Sequence, residues 1–94
     1  MVFINNLKGY TIILAPSAEK VLNAIEQRNA IAIREKLKAL VGGQQNLDVK
    51  KIVAMKRPTY RLRVGNYRVL YEIHEKEIVV KVIRIAHRKD AYDF

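Results

Sequence analysis

The sequence predicts an α+β domain: an antiparallel sheet of about four strands, an N-terminal helical hairpin packed on one face, and the other face open and basic. Three stretches carry that prediction. Thr59 to Ile73 reads T-Y-R-L-R-V-G-N-Y-R-V-L-Y-E-I, two alternating runs separated by Gly65-Asn66, a strong two-residue hairpin signal because both residues tolerate positive φ. Ala18 to Val41 places apolar side chains at helical spacing. Glu77 to Ala86 is apolar on both sides, the pattern of a central strand.

In chain order, Met1 to Gly9 is mixed, with Val2-Phe3-Ile4 as a stub of strand at most. Tyr10 to Ala15 is short and β-branched, and Ala15-Pro16 ends it; it reads as a first strand, open to burial on both faces. Pro16-Ser17 then opens a helix, with Ser17 the expected N-cap and Glu19 favourably placed against the helix dipole. Ala18, Val21, Leu22 and Ile25 form its stripe. The stripe breaks around Gln27-Arg28-Asn29, and a second phase follows with Ala30, Ile33, Leu37, Leu40 and Val41 on one side. Either one bent helix or a helical hairpin with Asn29 at the junction satisfies this pattern, and the hairpin is preferred. Gly42-Gly43 terminates it. Gln44 to Pro58 is a polar, basic connection with a small apolar patch at Val49, Ile52 and Val53, where Val49 to Ile52 is able to pair briefly with a neighbouring strand.

A two-residue loop at Gly65-Asn66 dictates the hairpin register. Val64 faces Tyr67, Leu62 faces Val69 and Tyr60 faces Tyr71, making one apolar face. On the other face Arg63 stands opposite Arg68, and Arg61 lies beside Leu70. Like charges paired across strands destabilise a sheet, so this local conflict marks either a binding site or a solvated basic surface. A second loop at Glu75-Lys76 places Val80 and Val82 on the core face beside Tyr71 and Val69, and Lys81 and Ile83 with the arginines. His87 to Tyr92 leaves that strand and is able to curl over the basic face.

Ninety-four residues make one domain, spanning 1–94, with a single modest core. The net charge of +9 points to a polyanionic partner, nucleic acid or an acidic protein. The charge is unevenly placed: Val49 to Tyr71 holds no Asp or Glu but contains Lys50, Lys51, Lys56, Arg57, Arg61, Arg63 and Arg68. With no cysteine, disulfides and thiolate chemistry are excluded. The sequence has neither an apolar run long enough for a membrane helix nor the pattern of a secretion signal, so a soluble cytoplasmic protein with no membrane partner is expected.

The R-x-R strand, the G-N-Y-R-V-x-Y hairpin and the terminal H-R-x-x-x-Y, in this order and spacing, resemble the RelE/ParE superfamily of type II toxins, and its RelE-like branch in particular. The resemblance runs from Tyr10 onward. It implies a RelE-like fold and a ribosome-dependent messenger RNA endoribonuclease that blocks translation and is neutralised by a cognate antitoxin, with operator DNA bound only indirectly through that antitoxin. Carried over by position, it implies that Arg61, Arg63, Arg68 and Arg88 line the active face with Tyr92 near the C-terminus, or Phe94 as the stacking residue instead. The implied chemistry needs neither metal nor cofactor. Well-studied relatives carry lysine where Arg61 and Arg63 stand, and arginine cannot give up its proton. His87 therefore becomes the candidate acid or base, against the alternative of an exposed strand-end histidine. Lys50, Lys51, Lys56, Arg57, Lys81 and Lys89 are the candidate RNA contacts, although for Lys50 and Lys51 the reading as solvated side chains is preferred. His74 reads as structural or exposed, and Glu72 as an ion-pair partner of Lys81 in preference to a catalytic role. Two other activities fit the superfamily: a ParE-like gyrase poison, and a homologue that binds RNA without cutting it.

Overall fold

The computed structural model describes residues 7–52 and 56–91. The expectations for Val2-Phe3-Ile4, Val53, Tyr92 and Phe94 lie outside the described residues. In chain order come β1 (Thr11–Leu14), α1 (Pro16–Ala24), α2 (Gln27–Val41), β2 (Val49–Ile52), β3 (Thr59–Val64), β4 (Tyr67–His74), β5 (Val79–His87) and a 3-10 turn (Arg88–Asp90). The strands form one sheet in the order β1-β5-β4-β3-β2. β2 through β5 are antiparallel neighbours, while β1 runs parallel to β5, with Thr11 opposite Val79 and Leu14 opposite Val82. The fold class holds, with five strands among the described residues instead of about four, because Val49–Ile52 pairs fully with β3.

Both helices pack on one face. Ala18 and Leu22 from α1, and Ala30, Ile33, Leu37 and Leu40 from α2, meet Leu62, Val69, Tyr71, Val80 and Val82, all buried. The α2 positions recur every three or four residues and so share one side of the helix. Truncating a core residue such as Leu62 to Ala removes apolar contacts and leaves a cavity, a loss of about 2–5 kcal/mol.

Several element ends differ from expectation for local reasons. Pro16 occupies the first helical position, where its missing N–H costs nothing, so the N-cap is Ala15 and not Ser17, and no side chain caps the helix. The helices part at Ile25-Glu26, not at Asn29, which lies in the first turn of α2 near the Glu26 carboxylate. β1 is a sheet edge with alternating exposed and half-buried residues, so it is not buried on both faces. Gly43 has φ of +85°, the left-handed conformation expected just past a helix end.

The β3–β4 register is the expected one, pair by pair from Tyr60↔Tyr71 to Val64↔Tyr67. At the turn only Gly65 takes positive φ (+56°), the pattern of a II′ turn, so Asn66 has no need of it. The β4–β5 connection is longer than expected: His74 pairs with Val79, leaving Glu75 to Ile78 as the loop. Val80 and Val82 still face the core, now opposite Ile73 and Tyr71. A bulge follows. Tyr71 pairs with Val82 but Leu70 with Arg84, so Ile83 is the extra, unpaired residue.

Ile78 carries the strain of the longer loop. It is β-branched, 53% exposed, and held at φ of 55° by hydrogen bonds from its N–H to the Glu75 carbonyl (3.1 Å) and from the Thr11 N–H to its own carbonyl (3.0 Å). That conformation costs an L-residue about 1–2 kcal/mol, and asparagine tolerates it better. Ile78→Asn should therefore raise the melting temperature by about 4–8 °C for each kcal/mol relieved, measured by thermal denaturation; a lower value would show that the exposed side chain contributes more than its backbone costs.

The core also sets an alkaline limit. Tyr71, 2% exposed, stacks on Tyr60 with ring centroids 5.7 Å apart. Burial pushes the Tyr71 hydroxyl far above its ordinary pKa, with Tyr60 adding to the shift; burial, and secondarily the charge of Glu75, raises Tyr60. A folded-state pKa above the unfolded value means that the native state holds its proton longer. Stability is complete below about pH 10 and falls as pH rises beyond it, by up to ~1.4 kcal/mol per pH unit for each such group. Denaturant unfolding between about pH 9 and pH 11 should show this loss, and Tyr71→Phe should make it shallower.

Candidate anion-binding site on the arginine face

Side-chain alternation sends Thr59, Arg61 and Arg63 of β3, and Arg68, Leu70, Glu72 and His74 of β4, to the face away from the helices. Two like-charge pairs stand directly across strands: Arg63 opposite Arg68, and Lys50 of β2 opposite Arg61. The face is not bare, since Arg61, Leu70 and Ala86 are each at most 8% exposed.

Asp48, just before β2, joins two of the arginines. Its carboxylate reaches Arg61 Nη2 at 3.5 Å through Oδ1 and Arg63 Nη1 at 3.3 Å through Oδ2. The Arg63 N–H donates to its backbone carbonyl at 2.9 Å. Arg61 is 5% exposed, and its Nε finds no partner among the described residues. Arg68 donates from Nη1 to the carbonyls of Gly65 and Tyr67, both at 3.1 Å. The chain beyond β5 returns to this corner, because the Arg88 N–H donates to the Asn66 carbonyl at 2.7 Å.

Charge crowding is visible in one group. Desolvation, then the neighbouring charges of Arg63, Arg61 and Arg88, hold the Arg68 guanidinium below its ordinary pKa, against the opposing pull of Asp48. Arginine nonetheless stays protonated at any working pH, so the repulsion persists there. An anion placed among these groups would offset it. Two planar guanidinium forks on adjacent strands suit an oxyanion with several acceptor oxygens, phosphate above all.

Arg61, Arg63, Arg68 and Arg88 are thus brought to one region, with Lys50 beside them. His87 is not. It pairs with Tyr67 on the helix side of the sheet, its ring edge-on to that tyrosine at 5.3 Å, and lines a cleft with Ser17, Val21 and Ile25. Its Nδ1 accepts the Lys89 N–H at 3.2 Å, capping the 3-10 turn. Lys51 also falls on the helix side, opposite Tyr60. Lys56, Arg57 and Lys89 are exposed, and Lys81 sits opposite Glu72 at the far end of the arginine face. Glu72 engages Arg57 at 3.8 Å and His74 at 2.9 Å instead of the expected Lys81, and His74 is half-buried in that pair.

Two residues of the face escaped sequence reasoning. Arg84 reaches it only because the bulge shifts the register, and its Nη2 donates to the Asp90 carbonyl at 3.2 Å. Asp48 is the last acidic residue before the acid-free basic stretch, a position that was a readable signal for a counter-charge.

The family model described as "ParE toxin of type II toxin-antitoxin system, parDE" matches residues 12–92. Toxin RelE3 of Methanocaldococcus jannaschii is 37% identical over 70 residues, covering 66% of this chain and 76% of that protein. Among solved structures, the archaeal RelE–RelB complex from Pyrococcus horikoshii OT3 contains a chain similar with a TM-score of 0.72 at 24% identity, covering 87% of this chain and 98% of that one. The RelB–RelE complex from Methanococcus jannaschii gives a TM-score of 0.61 at 29% identity, covering 86% and 95%. The intact Escherichia coli RelBE complex, at 19% identity and a TM-score of 0.70 over 84% and 96%, shares the fold. A five-stranded sheet backed by a helical hairpin, an arginine-lined face and these relatives converge: the chain belongs to the ParE toxin family of type II toxin–antitoxin systems, as a RelE-like member of the RelE/ParE superfamily.

Proposed function

We propose that this toxin is a ribosome-dependent messenger RNA endoribonuclease whose arginine face stabilises the reacting phosphate. The observation that carries the reading is the enforced pairing of Arg63 with Arg68, with Arg61 and Arg88 near enough to perturb Arg68. In the reaction the RNA 2′-hydroxyl attacks the adjacent phosphorus. The new 2′-O–P bond forms, the bond to the 5′-oxygen breaks, the hydroxyl proton leaves and the departing oxygen gains one. Negative charge builds on the non-bridging oxygens in the transition state. Guanidinium groups already fixed on strands meet that charge without reorganising, which is why such donors contribute strongly. Arg63 and Arg68 clamp the phosphate; Arg61 and Arg88 add field and position; Lys50 extends the binding face. Because His87 lies on the helix side, this reading places the burden on charge stabilisation and leaves the proton to solvent or to ribosomal groups. A positively charged sheet also suits a partner antitoxin with an acidic segment, by electrostatic complementarity.

Induced expression followed by primer extension on an abundant message, with and without its start codon, tests the reading. Cuts confined to translated frames are expected. Arg63→Ala or Arg68→Ala should lower cleavage about a hundred- to a thousand-fold. The Arg63 pair with Asp48 is half exposed, so Arg63→Ala should cost at most about 1 kcal/mol of stability. Growth arrest with intact messages would overturn the nuclease and favour a gyrase poison, which the match to the ParE family keeps in play.

A further inference from the structure

Asp48 ion-pairs with Arg61 and Arg63 of the sheet face. Its placement is built into the fold. The Asp48 carbonyl takes the Arg63 N–H at 2.9 Å, so the side chain starts from a fixed point beside β3 and divides its two oxygens between Arg61 and Arg63. Its hold is nevertheless weak. The contacts of 3.5 Å and 3.3 Å are long beside the 2.7–2.9 Å typical of charge-assisted bonds, and the Asp48 side chain is 51% exposed. The buried Arg61 Nε has no acceptor among the described residues, so Asp48 satisfies that guanidinium only in part.

We propose that Asp48 is a resident competitor for the phosphate site: in the free protein its carboxylate holds Arg63, one arm of the phosphate clamp, together with the neighbouring Arg61, and it yields them to an incoming phosphate. The proposal rests on the reading that this face receives phosphate. Its physical logic is exchange of like for like. A carboxylate offers two oxygens at long range, whereas a phosphate offers more acceptors and more charge to the same guanidinium groups. In the free protein Asp48 limits the mutual repulsion of Arg61, Arg63, Lys50 and Arg68 and so keeps the clamp folded. It also weakens adventitious anion binding, so that only a phosphate held by further contacts displaces it. The alternative is an organiser, in which Asp48 must stay to orient both arginines. The two roles predict opposite signs.

The test is titration of the intact chain with inorganic phosphate, comparing wild type, Asp48→Asn and Arg63→Ala. Competition predicts that D48N binds phosphate about five- to tenfold tighter than wild type, the loss of two weak ion pairs, and that this gain disappears when R63A is added. Weaker or equal binding by folded D48N would overturn the proposal: weaker binding makes Asp48 an organiser, and equal binding by wild type and D48N places phosphate elsewhere on the face. A second measurement needs no substitution. In wild-type protein the 13C resonance of the Asp48 side-chain carboxyl should move as phosphate saturates, and a stationary signal would overturn the proposal even if D48N failed to fold. If no protein in the series binds phosphate, the phosphate-face reading fails together with this one.

Discussion

The II′ turn at Gly65-Asn66 is the constraint on which the site depends. A two-residue loop leaves no freedom in strand register, and the register decides both faces at once. The same pairing that stacks Tyr60 on Tyr71 and closes Leu62 against Val69 in the core obliges Arg63 to face Arg68 on the opposite side. Sliding the strands by one residue to separate the arginines would expose the core. Burial of large apolar side chains, at about 25 cal/mol per Å2, outweighs one partly exposed like-charge pair, so the charge conflict persists.

A conflict held in place by core packing is a form of preorganisation. In water, free guanidinium groups would separate, and gathering them around an anion would have to be accomplished during binding. Here the gathering is done during folding and is stabilised by the hydrophobic face. Asp48 moderates the cost by lying between two of the arginines, but one carboxylate cannot neutralise the whole cluster, and Arg68, desolvated and beside Arg63, Arg61 and Arg88, keeps a lowered pKa. The protein therefore presents a face whose excess positive charge an anion would offset.

The bulge at Ile83 has a comparable effect at the other end of the sheet. Without it, continuation of the Tyr71↔Val82 pairing would bring Arg84 opposite Val69 on the core side. The extra residue turns Arg84 to the arginine face, returns Ile85 to the core and carries His87 to the helix side beside Tyr67. The chain then leaves β5 close to the hairpin turn, where the bond from Arg88 to Asn66 fixes its direction. The composition of the site thus depends on one unpaired residue in a strand that contributes mostly core.

The sequence by itself determined the α+β class, the helical stripes, the β3–β4 register and the opposition of Arg63 to Arg68. Each of these follows from local rules: side-chain periodicity, glycine at the turn, and the alternation of a strand. It did not single out Asp48, because an ion pair between separate segments depends on where the chain returns. Tertiary structure alone decided the parallel pairing of β1, the four-residue loop ending at Ile78, and the bulge that admits Arg84 and removes His87 from the arginine face. Those features arise when strands of unequal length must share one core. The best compromise between burying Val80, Val82 and Ile85 and closing the sheet is global, and no window of the sequence contains it.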